Sequence, residues 1–167
     1  MTRTQTYLSP SRLVYLSGPI LGCTYDDARF GWRKEVADKM APGIQVLSPM
    51  RQEGHLAEQW GKKAITDCVT TEQSHFMARP KSIYSKDLLD VKMCDIMLLN
   101  LLGAPTVSRG SLVELGWASA LGKHVITCME DIGNVHDHPF VREASAMVLD
   151  NLDDASDCIN SLLIPGV

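Results

Sequence analysis

The chain has 167 residues, of which 45% are hydrophobic and 22% are charged, and these values are ordinary for a globular protein of one domain. Its formal net charge of −4 at pH 7 provides no basic surface for a nucleic-acid polymer, so we expect no such partner. Apolar runs stay far shorter than a membrane span, and we expect no membrane partner. We therefore expect a single domain over residues 1–167.

The cysteines and the N-terminal residues bear on the cellular location. The chain contains five cysteines, an odd number, without the spacing typical of metal ligands. This pattern predicts reduced thiols in a cytoplasmic protein. Residues 1–11 are polar and lack the apolar segment of a secretion signal, so we expect a frayed leader there.

The first half of the chain predicts two strands and their following helices. An apolar run predicts a buried strand at 13–17, and apolar residues at near-helical spacing predict a helix over 25–40. A second strand is predicted at 44–47. Within 50–80 we expect a helix near 56–68 and then an irregular segment, an insertion of the kind that often forms a lid.

The second half repeats the alternation of helix and strand. The most apolar strand is predicted at 96–102, between a helix over 83–93 and a helix over 110–121. In the helix over 83–93, Leu89 is a candidate for the inward-facing side. The remaining predictions are a strand at 124–128, a loop at 130–138, a helix near 139–146, a short strand at 147–149 and a closing helix over 152–163.

This order of elements predicts an α/β fold of the doubly wound class. We expect a five-stranded parallel sheet in the order 2-1-3-4-5, covered by helices on both faces, as in Rossmann-like and flavodoxin-like proteins. Ligands of such open sheets bind outside the carboxyl ends of the strands. The residues that follow the strands are therefore the first candidates for a functional site.

Glu114 is the most informative of these candidates. It lies in the first turns of the helix over 110–121, close to the end of the strand at 96–102, and small residues flank it. A carboxylate in this position suggests a nucleophile or a base. The alternative is a glutamate that only complements the helix dipole, and the spacing alone leaves both open.

Asp87 and Tyr15 are candidate partners of Glu114. Asp87 can supply the second carboxyl group of an acid/base pair, whose members divide the work when their pKa values differ. Alternatively, it is a surface residue beside Lys86. Tyr15 is either a core aromatic residue or a phenol that points at Glu114 from the first strand.

Two loops supply candidate substrate contacts. Ser17, Gly18, Pro19 and Ile20 end the first strand, and a glycine there permits a close approach of ligand to backbone. This loop has neither the GxGxxG pattern nor the lysine of a Walker motif. The second loop opens a helix and offers possible donors to a phosphate, or ordinary turn and N-cap residues, at Ser108, Arg109, Gly110 and Ser111.

The sequence NVHDHPF at 134–140 contains two of the five histidines. His136 and His138 are separated by one residue and have no third ligand at a clear spacing, so we expect no metal. A polar loop that reaches an active site is the preferred interpretation, with His138 and Phe140 as candidate substrate contacts.

Three motifs together resemble the nucleoside 2-deoxyribosyltransferase superfamily, including its N-glycosidase branch that acts on nucleoside 5′-monophosphates. They are VYLSGPI at 14–20, DLLDVKMCD at 87–95 and GSLVELGWASALGKHVI at 110–126. The resemblance covers the chain outside 50–80, and the ELGxAxAxGK portion of the third motif is its most specific part.

The resemblance implies a flavodoxin-like fold and a homodimer or higher homo-oligomer. It implies that Glu114 is the nucleophile, that Asp87 contacts the base and assists proton transfer, and that Tyr15 positions the nucleophile. In the family a loop from a partner subunit completes the active site. The counterpart here is 134–140, with Phe140 as its best apolar contact.

The chain also departs from the family pattern. The transferases usually carry an aspartate six residues before the nucleophile, whereas this chain has Ser108, as in the monophosphate hydrolases. Those hydrolases have an arginine in the first loop where this chain has Leu21, and Arg109 or Arg142 is available to substitute. The choice between a nucleoside and a nucleotide therefore stays open.

The expected reaction is a retaining substitution at the anomeric carbon of a (deoxy)nucleoside or its 5′-monophosphate. Glu114 attacks C1′, and water or a second base then takes the sugar from the glycosyl ester. This chemistry needs no metal and no organic cofactor. The alternatives are an NAD glycohydrolase and a non-catalytic nucleotide-binding or sensor protein.

Overall fold

The computed structural model describes residues 11–66 and 76–164, which form a five-stranded, wholly parallel sheet. The strand order β2-β1-β3-β4-β5 confirms the predicted topology. The strands are β1 (Arg12–Ser17), β2 (Ile44–Leu47), β3 (Ile96–Asn100), β4 (His124–Cys128) and β5 (Met147–Leu149).

Helices cover both faces of the sheet. They are α1 (Tyr25–Phe30), α2 (Trp32–Lys39), α3 (Gly54–Trp60), α4 (Pro80–Met93), α5 (Arg109–Ala120), α6 (Pro139–Glu143) and α7 (Leu152–Leu163). Successive residues of a strand point to opposite faces. Tyr15 therefore packs with Val91 of α4 and Leu115 of α5, whereas Leu16 packs with the α2 and α7 side.

The predicted helix over 25–40 is two helices, and the prediction of one continuous helix was wrong. The chain turns at Gly31, where an added Cβ atom would lie 2.6 Å from the carbonyl oxygen of Asp27. The second helix then places Arg33 in the interior, where its guanidinium donates to the carbonyl groups of Leu16, Gly18 and Ala28. These buried carbonyl groups therefore receive their hydrogen bonds from Arg33, a side chain that the spacing of apolar residues did not predict to face inward.

Several boundaries differ from the predictions. The helix expected near 56–68 is the shorter α3, and Gly61 ends it with a positive φ of 55°. β3 ends at Asn100 rather than at 102, and just beyond it the amide of Leu102 donates to the side-chain oxygen of Asn100. The helix predicted near 139–146 ends at Glu143, since the amide of Ala146 already bonds to β4.

The inner side of α4 is unexpectedly polar. Leu89 is 53% exposed, so its predicted inward orientation was wrong. Lys86, Asp87 and Asp90 are buried instead, beside Val91. Charged groups are rarely buried without partners, and the partners of Lys86 and Asp90 lie next to the candidate site.

Some sequence predictions fall wholly or partly outside the described residues. The expected leader lies there except for Ser11, as does the portion of the 50–80 insertion at 67–75. In the described residues, Cys94 and Cys128 are buried free thiols. Within the same residues, the structure has no helix long and apolar enough to cross a membrane.

Candidate active site

A cavity of about 560 Å³ opens at the carboxyl ends of β1, β2 and β3. Its walls come from the loop after β1, from residues 49–56, from α4, and from the loop that leads into α5. Its size is typical of small-molecule sites. The predicted site residues that line it are Gly18, Pro19, Ile20, Asp87, Ser108, Gly110, Ser111 and Glu114.

Glu114 is held at both oxygens by side chains of β1. The Tyr15 hydroxyl donates to Oε1 at 2.9 Å, and the Ser17 hydroxyl donates to Oε2. These two residues lie two positions apart on one strand, so they share a face of the sheet. Ser17 is fully buried, and its hydroxyl is a contact for Glu114 rather than the substrate contact that the sequence predicted.

The surroundings of Glu114 act on its charge in opposite directions. Burial has the largest effect and leaves the pKa of the Glu114 carboxyl group above its ordinary value, although the hydroxyls of Ser17 and Tyr15 and the nearby charge of Arg33 lower that pKa. Burial and then the charge of Glu114 raise the pKa of Tyr15 well above its ordinary value, so Tyr15 stays a hydrogen-bond donor. Both donors favour the ionised form of Glu114.

Asp87 has the opposite environment. Burial, and next the charge of Glu114, raise the pKa of Asp87 to about 8. Its Oδ1 atom is buried and has no hydrogen-bond partner among the described residues. Asp87 is therefore protonated at neutral pH, while the hydrogen bonds that Glu114 accepts favour the ionised form of Glu114. Two carboxyl groups whose surroundings favour different protonation states are typical of an acid and a nucleophile.

Two ion pairs that the sequence analysis missed surround Asp87. Lys86 binds the carboxylate of Glu53, and its Nζ also donates to the carbonyl oxygen of Pro49 at 2.5 Å. The guanidinium of Arg51 binds both oxygens of the buried Asp90. A signal existed in the sequence, because positions 83, 86, 87, 90 and 91 form one face of a helix.

Arg33 and Gly18 fix the loop after β1. Arg33 donates to the carbonyl oxygens of Ala28 at 2.7 Å and Gly18 at 2.9 Å, and burial lowers its pKa to about 10, so it keeps its charge at neutral pH. A Cβ atom at Gly18 would lie 2.7 Å from the carbonyl oxygen of Asn100. Glycine is therefore required where this loop passes β3.

The start of α5 forms another wall of the cavity. Ser108 is the N-cap of this helix, and its hydroxyl also bonds the hydroxyl of Ser111 at 2.9 Å. Nε2 of His136 accepts a hydrogen bond from the amide of Ser108 at 2.8 Å. Burial lowers the pKa of His136 and favours its neutral form. Helix N-termini with nearby hydroxyls bind anions, and this wall also includes Arg109.

The structure separates His138 and Phe140 from the Glu114 cavity. Both line a second groove of about 840 Å³ on the surface formed by α5 and α6, together with Leu112 and Val135. Phe140 is 79% exposed. The described residues contain no cluster of His, Cys, Asp or Glu side chains that would hold a metal ion.

Of the two arginines considered as substitutes in the sequence analysis, only Arg109 lies at the cavity. Arg142 pairs instead with Asp137, with 2.7 Å between Nε and Oδ1. Leu21, at the position of the family arginine, lines the cavity wall. A cation is thus available beside the N-terminus of α5 but not in the loop after β1.

The fold and the site together define an α/β protein with paired acidic groups at the carboxyl edge of a flavodoxin-like sheet. The chain belongs to the nucleoside 2-deoxyribosyltransferase family, whose model matches residues 14–152. This is a family of nucleoside-processing enzymes, and its substrates are small molecules. No curated protein sequence is significantly similar to the chain.

Solved structures share this fold at low sequence identity. The CMP N-glycosidase BcmB from Clostridium botulinum is 16% identical with a TM-score of 0.52, covering 89% of this chain and 98% of that one. A 2-desoxiribosyltransferase from Leishmania mexicana is 17% identical with a TM-score of 0.53, covering 92% and 99%. A molybdenum cofactor binding protein from Rippkaea orientalis is 13% identical with a TM-score of 0.52, covering 92% and 98%. This range of names agrees with the rule that a fold by itself does not define a function.

Proposed function

We propose that this protein cleaves the N-glycosidic bond of a (deoxy)nucleoside or its 5′-monophosphate through a covalent intermediate on Glu114. The observation that carries the proposal is the placement of Glu114. Hydroxyl groups bind both of its oxygens, and it lines the same cavity as Asp87, which is protonated at neutral pH. Family membership supports the same class of reaction.

In the first step, a carboxylate oxygen of Glu114 bonds to C1′ of the sugar as the bond from C1′ to the base nitrogen breaks. The electron pair of the broken bond goes to the base. Asp87 gives its proton to the base and becomes a carboxylate, which makes the base a better leaving group. Tyr15 and Ser17 hold the attacking oxygen in place.

In the second step, water or the N–H group of another base attacks C1′ of the glycosyl ester. The bond to Glu114 breaks and the electron pair returns to its carboxylate. Asp87 accepts the proton of the attacking group and regains its starting form. Two displacements at one carbon retain the configuration of the sugar, as in retaining glycosidases.

The lining of the cavity combines two kinds of residue that suit a nucleotide. Apolar side chains of Met50, Leu56 and Ile83 contribute to the wall and fit the faces of a base. Ser108, Arg109 and Ser111 also line it, and the start of α5 there suits a 5′-phosphate. The name of the Clostridium neighbour, a CMP N-glycosidase, makes nucleotides the first substrates to test.

The site proposed here is shared between subunits of a homo-oligomer. The groove beside α5 is lined mainly by apolar side chains, including Leu112 and the exposed Phe140. Exposed apolar surface of this kind marks interaction sites. In this arrangement, the segment at 134–140 of one copy reaches the cavity of another copy.

Two alternatives remain in the same cavity. An NAD glycohydrolase would break a similar bond with Glu114 and would release nicotinamide. A non-catalytic binding protein would bind nucleotides without releasing a base, and one structural neighbour is named as a cofactor binding protein. The paired acidic groups favour catalysis over binding alone.

The test is a panel of common nucleosides, their 5′-monophosphates and NAD, incubated with and without a second free base and analysed for products. We expect base release from one substrate class, and Glu114→Gln should lower it by about 10⁴-fold or more. Intact mass spectrometry should detect the sugar adduct in the wild type. The matched control is Glu58→Gln on the exposed side of α3. Normal turnover by Glu114→Gln would refute the mechanism.

A further inference from the structure

Three ionisable side chains form a buried row beside the cavity. Lys86 binds Oε1 of Glu53, and its Nζ lies 3.8 Å from Oδ1 of Asp87, beyond hydrogen-bond distance. The side chains of Glu53 and Lys86 are only 5% and 8% exposed. Solvent screens charges weakly at such depth, so each charge acts strongly on its neighbours.

We infer that Glu53 is a positioning residue that binds the Lys86 ammonium group and so keeps Asp87 in the protonated form needed by the leaving base. This inference rests on the role proposed above for Asp87. An unpaired ammonium group at this distance would favour the ionised form of Asp87. The carboxylate of Glu53 offsets that charge and, with the carbonyl group of Pro49, fixes its position.

The individual electrostatic effects agree with this geometry. Burial and then the charge of Glu114 contribute most to the raised pKa of Asp87; the charge of Lys86 lowers this pKa, and the charges of Asp90 and then Glu53 raise it by less. Removal of the Glu53 charge should therefore lower the pKa of Asp87, and removal of the Lys86 charge should raise it. A merely structural ion pair would give the same consequence from either side, because both changes break the same contact.

Other ionisable groups also face Asp87, and neither substitution below changes them. Each is held by contacts of its own, such as those of Glu114 with Tyr15 and of Asp90 with Arg51. His55 faces the pair itself, with Nε2 3.5 Å from Oε2 of Glu53. The groups around Asp87 are Tyr15 on β1, Arg33 on α2, Arg51 before α3, Asp90 on α4 and Glu114 on α5.

The experiment compares Glu53→Gln, Lys86→Met and the double variant. The carboxyl ¹³C signal of Asp87 is titrated by NMR in each full-length protein, and the pH profile of base release is recorded in parallel. Relative to the wild type, the titration of Asp87 should move to lower pH in Glu53→Gln and to higher pH in Lys86→Met, each by about one pH unit. The double variant should fall between the two single variants.

Each outcome decides the inference. Unchanged titration, or movement in the same direction in both single variants, would overturn it. If Glu53→Gln folds poorly, Lys86→Met and the double variant still differ only in the Glu53 charge, and the double variant must titrate at the lower pH. Opposite movements without base release from any substrate would contradict the proposed function alone. Base release with an unmoved Asp87 titration would overturn the inference alone.

Discussion

At the scale of single residues, the site depends on two carboxyl groups with different surroundings. Glu114 receives hydrogen bonds from Tyr15 and Ser17, which stabilise its anion. Asp87 has a buried oxygen without a hydrogen-bond partner in the described part of the chain, and its proton stays on until the pH approaches 8. A carboxyl group can thus attack or donate a proton, depending on what its oxygens contact.

The activity should therefore decline on the alkaline side. As the pH rises through about 8, Asp87 loses the proton that the leaving base needs, so base release should fall. Asp87→Asn should lower base release by about 10²- to 10⁴-fold and remove this alkaline limb. Initial rates between pH 5 and 10 measure both effects.

The stability of the protein should also depend on the protonation of Asp87. The pKa of Asp87 is raised from 3.8 to about 8 in the folded state, so its contribution is most favourable below pH 4 and is lost as the pH rises through 8. The melting temperature of Asp87→Asn should therefore fall less than that of the wild type between pH 5 and 9. The exposed Asp26→Asn serves as the control and should follow the wild type. An equal fall in melting temperature for Asp87→Asn and the wild type between pH 5 and 9 would contradict the raised pKa of Asp87.

At the scale of elements, β1 and its following loop organise the site. One strand supplies both hydroxyl groups for Glu114, and its end passes so close to β3 that residue 18 has room only for hydrogen as a side chain. Arg33 then ties the loop to α2. The precision of the site therefore comes from the buried sheet rather than from the cavity walls.

Gly18→Ala tests this arrangement. The new methyl group would overlap the carbonyl oxygen of Asn100 and Trp32, at 2.7 Å and 2.9 Å. We expect a loss of about 1–3 kcal/mol in unfolding free energy, together with lower activity. Gly110→Ala is the matched control for stability, because a Cβ atom at this helical position meets no atom within 4 Å. Denaturant titration should show a loss only at position 18; equal stability of the two variants would contradict the close approach.

At the scale of the whole molecule, the groove between α5 and α6 is distinct from the Glu114 cavity but shares Val107 with it. Asn134 donates to the carbonyl oxygen of Leu101 at 2.9 Å and so ties the 134–140 segment to the end of β3. A rigid segment that presents an exposed aromatic ring suits contact with a second copy.

Phe140→Asp should therefore convert an oligomer into monomers and lower base release. Light scattering after size-exclusion chromatography measures the first effect. Leu162→Asp is the control, since Leu162 is an exposed apolar residue on α7, away from the groove. A wild-type monomer with full activity would contradict the shared site.

Sequence patterns predicted the sheet more completely than the polar interior. The apolar strands stand out because residues buried on both faces must be continuously hydrophobic. The inner side of α4 was misjudged at Leu89, because the periodicity of apolar residues does not register buried charges. Glu53 and Lys86 are 33 positions apart, and no local pattern joins them. The roles assigned to Glu114, Asp87 and Tyr15 stay predictions, although the structure places these residues together.

The sequence by itself determined where the strands lie and which family the chain belongs to, because strand periodicity and the motif around Glu114 are local properties of the chain. The strand order was predicted from the general topology of alternating strands and helices, and the structure confirms it. Only the tertiary structure decided which groups meet at the carboxyl edge: hydroxyls of β1 at Glu114, the Lys86 pair beside Asp87, and the 134–140 segment outside the cavity. Charge interactions depend on distances and on burial, and both of these arise only when separate elements pack together.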